Sequence, residues 1–138
     1  MEKPILSARY WNVFLNENQS LPGKALIWCK RKNALHLSDA TPAEWNELKR
    51  ILKALKAALE RAFSPDWFNF EALGNKVAHL HVHVVPRYKS DVSIQGVRFE
   101  DIHYGKPNHP NQKRSIPLKA RQAIRKRLKE ELIRAWKS

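Results

Sequence analysis

The chain has one cysteine, half as many acidic as basic side chains and no long apolar run. A lone cysteine excludes an intramolecular disulfide, and Cys29, inside an apolar segment, is expected to be a small core residue rather than a nucleophile. No apolar run approaches the ~18 residues of a membrane-spanning helix. The residues after Met1 lack the charged-then-apolar pattern of a signal peptide. These absences predict a cytoplasmic protein without a membrane segment.

The length and composition predict one globular domain over residues 1–138. Hydrophobic residues make up 43% and charged residues 28% of the chain, which is typical of a soluble domain that can bury a core. The 26 Lys and Arg against 13 Asp and Glu give a net charge of +13. Such a charge favours polyanionic partners, namely nucleotides, nucleic acid or an anionic surface. No nucleic-acid-binding motif accompanies the charge, so nucleic acid is a partner that the charge permits but that no motif indicates.

Two segments have the pattern of amphipathic helices. Thr41 precedes Pro42, and Glu44 lies three residues after Thr41, which is typical of a helix N-terminus with a capping box. The apolar stripe that follows at spacings of three and four comprises Trp45, Leu48, Leu52, Leu55, Leu59 and Ala62. Ser64-Pro65 is predicted to end this long helix. A second helix is predicted at about 118–136. The segment 118–138 has eight Lys and Arg against two Glu, which form either a solvated face or a contact for anionic partners.

Short apolar segments predict a sheet. Ala25–Cys29 and Trp67–Phe70 are expected to be strands, and a strand from about Val77 to Val85 is expected to pair antiparallel with the second of them. The apolar residues between Leu6 and Leu15 have mixed spacing, so helix and strand both stay open there. Lys89–Pro117 contains three prolines and little apolar periodicity, and it is predicted to be a loop.

Three histidines alternate with apolar residues in the third of these strands. In a β-strand, His79, His81 and His83 project from one face, and the intervening Leu80 and Val82 project toward a core. Three imidazoles on one face indicate a reaction centre or a metal site. Zinc is the sharper metal alternative, but the outer two Cα atoms lie about 13 Å apart at about 3.3 Å per residue, so three rings on one strand would converge on one ion only awkwardly.

The histidine segment and its flanks resemble the histidine triad (HIT) nucleotide hydrolases and transferases. His79–Val85 fits the pattern His-x-His-x-His followed by two apolar residues. Leu73-Gly74-Asn75 precedes it and Pro86-Arg87-Tyr88 follows it, as in short bacterial members that resemble diadenosine tetraphosphate hydrolases. Leu21-Pro22-Gly23 before a strand and Ser38–Glu44 at the start of the helix also match. The similarity covers most of residues 6–105.

The resemblance implies an α+β fold of the HIT type. We expect an antiparallel sheet of about five strands with one long helix packed on it, and a C-terminal basic amphipathic helix at about 118–136. The single HIT-like domain would have its core at about 6–105. Members of the family are usually homodimers whose sheets join across the two-fold axis, and the same assembly is expected here.

The resemblance also implies the roles of the three histidines. His81 would be the nucleophile that attacks the α-phosphorus of a nucleotide and forms a nucleotidyl-histidine intermediate, which water or another acceptor then breaks. A neutral imidazole can attack only if its second nitrogen gives its proton to a fixed acceptor, and by resemblance that acceptor is a backbone carbonyl near the triad. His79 and His83 would hold phosphate oxygens. No metal ligand and no cofactor are required, and Mg²⁺ would enter only with a polyphosphate substrate.

Other positions acquire expected roles by the same resemblance. Asn16 occupies the place of an Asp or Asn that binds the ribose hydroxyls, although a plain turn residue is an equal alternative. Asn75, beside the conformationally free Gly74, occupies the place of an amide near the phosphates. Phe14 and Ile27 are either walls of the base pocket or ordinary core.

Two lysines depart from the family pattern. Lys24 stands where many members have a fourth histidine, and Lys76 stands where some have the Ser or Thr that assists the leaving group. An ammonium supplies positive charge without titrating near neutral pH. The two lysines together are interpreted as a preference for polyphosphate substrates.

The expected activity is hydrolysis or nucleotidyl transfer at an α-phosphate. Dinucleoside polyphosphates such as diadenosine tetraphosphate are the first expected substrates, and nucleoside phosphoramidates, which would make the protein a phosphoramidase, are the second. Three alternatives stay open from the sequence. They are a nucleotide- or nucleic-acid-binding protein with weak or vestigial catalysis, an enzyme that removes adenylate from nucleic-acid ends, and a zinc-dependent hydrolase that uses the three histidines.

Overall fold

A computed structural model describes residues 2–108 and 113–138 of the chain. The main sheet has the order β1-β2-β3-β5-β4, and all its neighbouring strands are antiparallel. The strands are β1 (Leu6–Ser7), β2 (Trp11–Leu15), β3 (Ala25–Cys29), β4 (Trp67–Glu71), β5 (His81–Arg87) and a separate hairpin of β6 (Val92–Ile94) and β7 (Val97–Phe99). The helices are α1 (Pro42–Phe63) and α2 (Leu118–Lys137), and a 3-10 turn spans Leu37–Asp39. The α+β prediction with about five antiparallel strands and two helices is confirmed.

Both helices cover one face of the sheet. Val82 and Val84 of β5 belong to the same buried cluster as Leu55 of α1 and Leu128 of α2. Because side chains alternate along a strand, His81 and His83 project from the opposite face. The core therefore lies between the sheet and the helix pair, and His81 and His83 lie on the other face of the sheet.

The start of α1 follows its predicted capping. The Thr41 Oγ1 accepts from the Glu44 N–H at 3.1 Å, and the Glu44 carboxylate accepts from the Thr41 N–H at 2.9 Å. Ser64, in the left-handed conformation, ends the helix after Phe63 as predicted. The apolar stripe is wrong at its first residue, because Trp45 is 44% exposed and Glu44 is buried instead. The Glu44 carboxylate is also held by Arg31 at 3.0 Å, and this ion pair allows its burial.

The second helix is confirmed and runs antiparallel to α1. Arg50, in the first half of α1, donates to the carbonyl of Trp136 at the end of α2 and lies over its indole ring at 3.6 Å. Arg61, near the end of α1, receives a hydrogen bond on its carbonyl from Arg127 in the middle of α2. The buried side of α2 consists of Ala120, Ile124, Leu128 and Leu132. Neither helix in the described part of the chain is apolar enough to span a membrane.

Two predictions are corrected, and one alternative that the sequence left open is decided. The histidine strand begins at His81 rather than about Val77 and continues through Pro86 to Arg87, so His79 precedes the strand. The predicted loop over Lys89–Pro117 contains the β6–β7 hairpin, whose three-residue strands are too short to produce a periodic signal. The open segment from Leu6 to Leu15 forms the strands β1 and β2.

The β2–β3 turn is organised by a buried amide. The Gln19 side chain donates at 2.8 Å to the carbonyls of both Asn16 and Lys24, and it accepts from the Gly23 N–H at 2.9 Å. Each of these backbone groups would cost free energy if it were buried without a partner. The amide thus holds the residues before β3 in place, and Lys24 enters the sheet in a defined position.

A buried ion pair fixes the C-terminal end of β5. Arg87 contacts Asp101 through two nearly parallel hydrogen bonds of 2.7 and 2.9 Å, and both side chains are almost fully buried. Arg87 also donates to Asn69 of β4 and to the carbonyls of His103 and Lys106. One guanidinium therefore joins β5, its neighbour β4 and the segment after the hairpin.

Two of the three histidines outside the triad lie among the described residues. His36 is an exposed residue at the start of the 3-10 turn. His103 lies in the segment held by Arg87 and is half-buried. His109 lies outside the described residues.

Candidate active site

The pairing of β3 with β5 builds one face of side chains around the histidines. Trp28 is opposite His81, and Leu26 is opposite His83. Glu71 of β4 is opposite His83 on the other side. These residues border a cavity of about 650 Å³ above the sheet, which we call the triad cavity. The other residues that border the cavity include Asn16, Glu17, Asn18, Lys24, Gly74, Asn75, Lys76, Val85 and Lys113.

His81 is held in one tautomer. Its Nδ1 lies 2.5 Å from the carbonyl oxygen of His79, and because a carbonyl only accepts, Nδ1 must carry the proton. In the neutral ring the Nε2 is then unprotonated and has its lone pair available. His81 is 8% exposed and borders the triad cavity. The backbone carbonyl expected near the triad is thus that of His79 itself.

His79 lies beside the triad cavity rather than on its wall. Its Nε2 donates at 2.6 Å to the carbonyl of Cys29, and its ring stacks on Trp28 with centroids 4.3 Å apart. The ring of His81 lies nearly parallel to the same indole at 5.2 Å. The structure therefore does not bring the His79 ring together with His81 and His83 at the cavity. It places His79 where its carbonyl and its ring orient His81 and Trp28.

Burial lowers the pKa values of two groups that border the cavity, His83 and Lys24. Burial lowers the pKa of His83, and the neighbouring His81 and the Lys24 ammonium lower it further. Burial also lowers the pKa of Lys24, and the Glu71 carboxylate opposes this shift. The rings of His81 and His83 meet edge to face, with centroids 5.0 Å apart. The lowered pKa favours the neutral form of His83, whereas the Glu71 carboxylate favours the charged form of Lys24.

A second cavity of about 690 Å³ adjoins the first and shares its Leu26 and Trp28 wall. Phe14 contributes to this more apolar space, whereas Ile27 points to the opposite face and is buried in the core. Asn16 borders both cavities. Its carbonyl is held by Arg121 of α2 at 3.1 Å. Of the two base-pocket candidates, the structure thus places Phe14 at a cavity and Ile27 away from it.

The segment after β4 closes the triad cavity on the side of Glu71. Gly74 has φ +68°, and a methyl group at its Cα would come no closer than 3.8 Å to its nearest neighbour, the Val77 carbonyl. Glycine is therefore favoured at this position by the left-handed backbone conformation, and not by a lack of room for a side chain. Asn75 and Lys76 follow as exposed residues that border the cavity. Both are positioned to reach a ligand there.

The sequence pattern of the HIT domain matches residues 2–90. This range contains the three histidines, the whole main sheet and α1. The chain belongs to the HIT domain family. Helix α2 and the β6–β7 hairpin lie beyond the matched range of the HIT domain.

Two curated proteins are similar in sequence to about two thirds of this chain. A bis(5'-nucleosyl)-tetraphosphatase (asymmetrical) of Schizosaccharomyces pombe is 29% identical over 101 residues, which are 70% of this chain and 55% of that protein. A bis(5'-adenosyl)-triphosphatase of Saccharomyces cerevisiae is 29% identical over 93 residues, 64% of this chain and 45% of that protein. The chain spans about half the length of these curated relatives.

Solved HIT structures share the fold over nearly the whole chain. A histidine triad protein from Sinorhizobium meliloti 1021 matches with a TM-score of 0.77 and 22% identity, covering 94% of this chain and 88% of that one. A histidine triad protein from Marinobacter aquaeolei VT8 gives a TM-score of 0.78 at 19% identity, covering 95% and 88%. At these identities the likeness shows the fold alone.

Several features of this HIT site were not predicted from the sequence. Trp28, which stacks on two of the histidines, could have been found from its place in the strand beside them. Glu71 and Arg121 reach the cavities through strand pairing and a distant helix, and no local motif signals either one. Within residues 2–108 and 113–138, no three His, Cys, Asp or Glu side chains are grouped so as to hold one metal ion.

Proposed function

We propose that this HIT protein hydrolyses or transfers nucleotides at the α-phosphate through a covalent nucleotidyl-histidine on His81. The observation that carries the proposal is the hydrogen bond from His81 Nδ1 to the His79 carbonyl at 2.5 Å. This bond leaves Nε2 as the nucleophilic nitrogen of a buried ring on the wall of a cavity. A nucleophile oriented in this way meets the requirements for covalent catalysis.

The proposed reaction has two balanced steps. In the first step the Nε2 lone pair attacks the α-phosphorus, a P–N bond forms, and the P–O bond to the leaving phosphate breaks with its electron pair on that phosphate. In the second step water attacks the phosphorus, the P–N bond breaks, and the electron pair returns to Nε2. The proton of the water passes to solvent, and the product is a nucleoside monophosphate. The fixed Nδ1 hydrogen bond stabilises the positive charge that the ring gains in the first step.

Dinucleoside polyphosphates are the proposed first substrates. Two curated relatives carry names for the hydrolysis of such compounds. Lys24 and Lys76 both border the triad cavity, where ammonium groups would stabilise a phosphate leaving group. Nucleoside phosphoramidates are the second proposed substrates. We propose no cofactor of the protein itself, and Mg²⁺ would arrive only bound to the polyphosphate.

The remaining side chains receive roles in binding. His83, with its lowered pKa, would donate a hydrogen bond to a phosphate oxygen through the one N–H of its neutral ring. Asn16 stands between the two cavities, where a ribose would join a base to the α-phosphate. Gly74 and Asn75 would contact the phosphates on the opposite side. The apolar space beside Phe14 would hold the base.

Intact-protein mass after brief mixing with diadenosine tetraphosphate tests the proposal. Wild type and His36→Ala, a matched variant of an exposed histidine, should gain the mass of one adenylate. His81→Ala should gain none and should release no product. No adduct in wild type, together with no product over hours, would contradict the covalent mechanism. Product release with stoichiometric bound zinc and full inhibition by a chelator would support the zinc-dependent alternative instead.

We also propose a homodimer formed through the edge strand β4. This strand pairs only with β5 within the main sheet as described here, so its outer edge has unpaired backbone groups. Trp67 is 65% and Phe70 50% exposed on it. A second copy of the chain would extend the sheet across a two-fold axis and cover both aromatic side chains.

A further inference from the structure

Lys24 is a buried cation with unused hydrogen-bonding capacity. The residue is 4% exposed, and in the described part of the chain its ammonium has one hydrogen-bond partner, the Ser20 Oγ at 3.4 Å. An ammonium has three N–H groups to donate, and a buried charge is costly unless it is paired. Glu71 influences the ammonium from a distance but forms no ion pair with it among the described residues. The Lys24 ammonium can therefore donate further hydrogen bonds to an anion in the cavity.

The strand register places Lys24 on the far side of His83 from the nucleophile. Trp28 is opposite His81, Leu26 is opposite His83, and Lys24 is the next residue of β3's alternation on the same face. A ligand that extends from His81 past His83 therefore reaches Lys24. Beyond Lys24 it reaches Ser20, the residue that Lys24 contacts.

A third space, a polar cleft of about 310 Å³, begins at Ser20. The residues that line it are Ser20, Arg98, Glu100, Lys113 and Arg114. Lys113 borders this cleft and the triad cavity alike. Asn18 also borders the triad cavity, and its Oδ1 accepts from the Arg114 N–H at 3.4 Å. The two spaces therefore adjoin along the β2–β3 turn.

Three cationic side chains line the cleft against one carboxylate, and two of the three are held by contacts. Arg98 is paired with Asp91 by a hydrogen bond of 2.6 Å, and Glu100 adds one carboxylate to the lining. Arg114 lies over the Phe99 ring at 4.8 Å and donates to the Arg98 carbonyl at 2.6 Å, which fixes the guanidinium. Within residues 2–108 and 113–138, neither Lys113 nor Arg114 forms an ion pair. Both charges are thus available to an anion.

We propose that this cleft binds the part of a phosphate chain that lies farthest from His81. We call the cleft the distal anion subsite, and the residues that would bind the phosphates are Ser20, Arg98, Lys113 and Arg114. The inference rests on the proposed function, because a leaving group with several phosphates connects the two spaces. Lys24 receives the nearer phosphates, and Lys113 and Arg114 receive the later ones. The subsite makes the protein selective for long phosphate chains over short ones.

Calorimetric titration with inorganic tripolyphosphate tests the subsite without any turnover. Lys113→Gln/Arg114→Gln should weaken binding roughly tenfold or more, since charge-assisted hydrogen bonds are removed. The matched control Lys49→Gln/Lys53→Gln removes the same charge from the exposed side of α1 and should change affinity less than about twofold. Lys113→Gln alone should show a smaller loss of tripolyphosphate affinity. Because Lys113 is exposed, this single variant should fold normally, and its loss therefore cannot come from a folding defect.

Kinetics with dinucleoside polyphosphates of three and six phosphates then test whether the subsite binds the phosphate chain of the substrate. The double variant should raise KM for the hexaphosphate compound by a larger factor than KM for the triphosphate compound. Equal tripolyphosphate affinity in wild type and the double variant would overturn the subsite, as would an equal loss in the control. Loss of tripolyphosphate binding with unchanged KM for the hexaphosphate compound would overturn the leaving-group assignment. Loss of binding in the double variant with no adenylate adduct on wild type would refute the proposed function but keep the subsite.

Discussion

Gly23 of the β2–β3 turn lies so close to α1 that a methyl group at its Cα would stand 2.5 Å from the Leu59 Cδ2. The ring of Phe63 would lie 3.1 Å from the same methyl group. Gly23 also has φ +95°, a conformation that residues with a Cβ adopt at a cost. Two independent physical demands therefore require glycine at the turn that leads into Lys24.

Replacing Gly23 by alanine should destabilise the protein by at least about 2 kcal/mol, since left-handed strain and overpacking each cost roughly 1–3 kcal/mol. Gly96→Ala is the matched control, because Gly96 has φ +76° and no neighbour within 4 Å of the added methyl group. It should show the conformational cost alone, about 1–2 kcal/mol. Urea unfolding of both variants measures the difference. Equal losses would show that the contact with Leu59 relaxes freely.

Removing the Lys24 charge should raise the pKa of His83. Burial, His81 and Lys24 all lower this pKa in the folded protein, and Lys24→Met removes the third cause while keeping an apolar stem of similar length. NMR titration of the His83 ring should therefore show a midpoint below 6.5 in wild type and a higher midpoint in the variant. Lys53→Met, on the exposed side of α1, should leave the midpoint in place. An unchanged or lower midpoint in Lys24→Met would contradict the placement of the ammonium near His83.

Asp101→Asn should cost about 3–5 kcal/mol near neutral pH, because it leaves the Arg87 charge buried without its partner. Burial would raise the pKa of Asp101, but the hydrogen bonds from Arg87 and the Tyr88 N–H outweigh it, and the pKa is lowered. The stabilisation is therefore complete above the unfolded-state pKa of about 3.9 and is lost as the pH falls through the folded value. Thermal unfolding should show a constant gap between wild type and variant above about pH 4. The gap should narrow in stronger acid, and a gap that widens there would contradict the assignment.

Trp67→Ser should weaken the proposed homodimer. Trp67 is the most exposed aromatic side chain of the edge strand β4, and burying such a ring between two copies contributes about 1.5–3 kcal/mol per chain. Light scattering over a dilution series should give a dimer for wild type and a higher dissociation constant for the variant. Trp45→Ser, at an exposed aromatic residue of α1, is the control and should leave the dimer intact. A monomer in the wild type at every concentration would refute the assembly.

The sequence predicted correctly those features that depend on contacts between residues close together in the chain. The capping box at Thr41 and Glu44 marked the start of α1 correctly, because the two residues satisfy each other's backbone within four positions. The same helix shows the limit of such reasoning. Helical spacing made Trp45 a core residue, but the partner of Glu44 is Arg31, a residue from another part of the chain, and that ion pair turns Glu44 inward.

Long-range partners decided the features that the sequence did not predict. His79 was expected on the strand with His81, but the Cys29 carbonyl and the Trp28 ring hold it before the strand begins. The hairpin after β5 has only three residues in each strand, and its one local signal is the Gln95-Gly96 pair, in which both residues have positive φ. Gln19 is buried by contacts with carbonyls that come together only when the turn closes.

A single strand, β5, has His81 and His83 on one side and the valines of the main core on the other. Val82 and Val84 pack among the residues of both helices. A displacement of His81 therefore requires the hydrophobic core to rearrange. Heat inactivation and global melting of this protein should consequently coincide, unlike in enzymes whose reactive groups stand on loops that loosen first. The working lifetime of the histidine site at elevated temperature is then the lifetime of the fold itself.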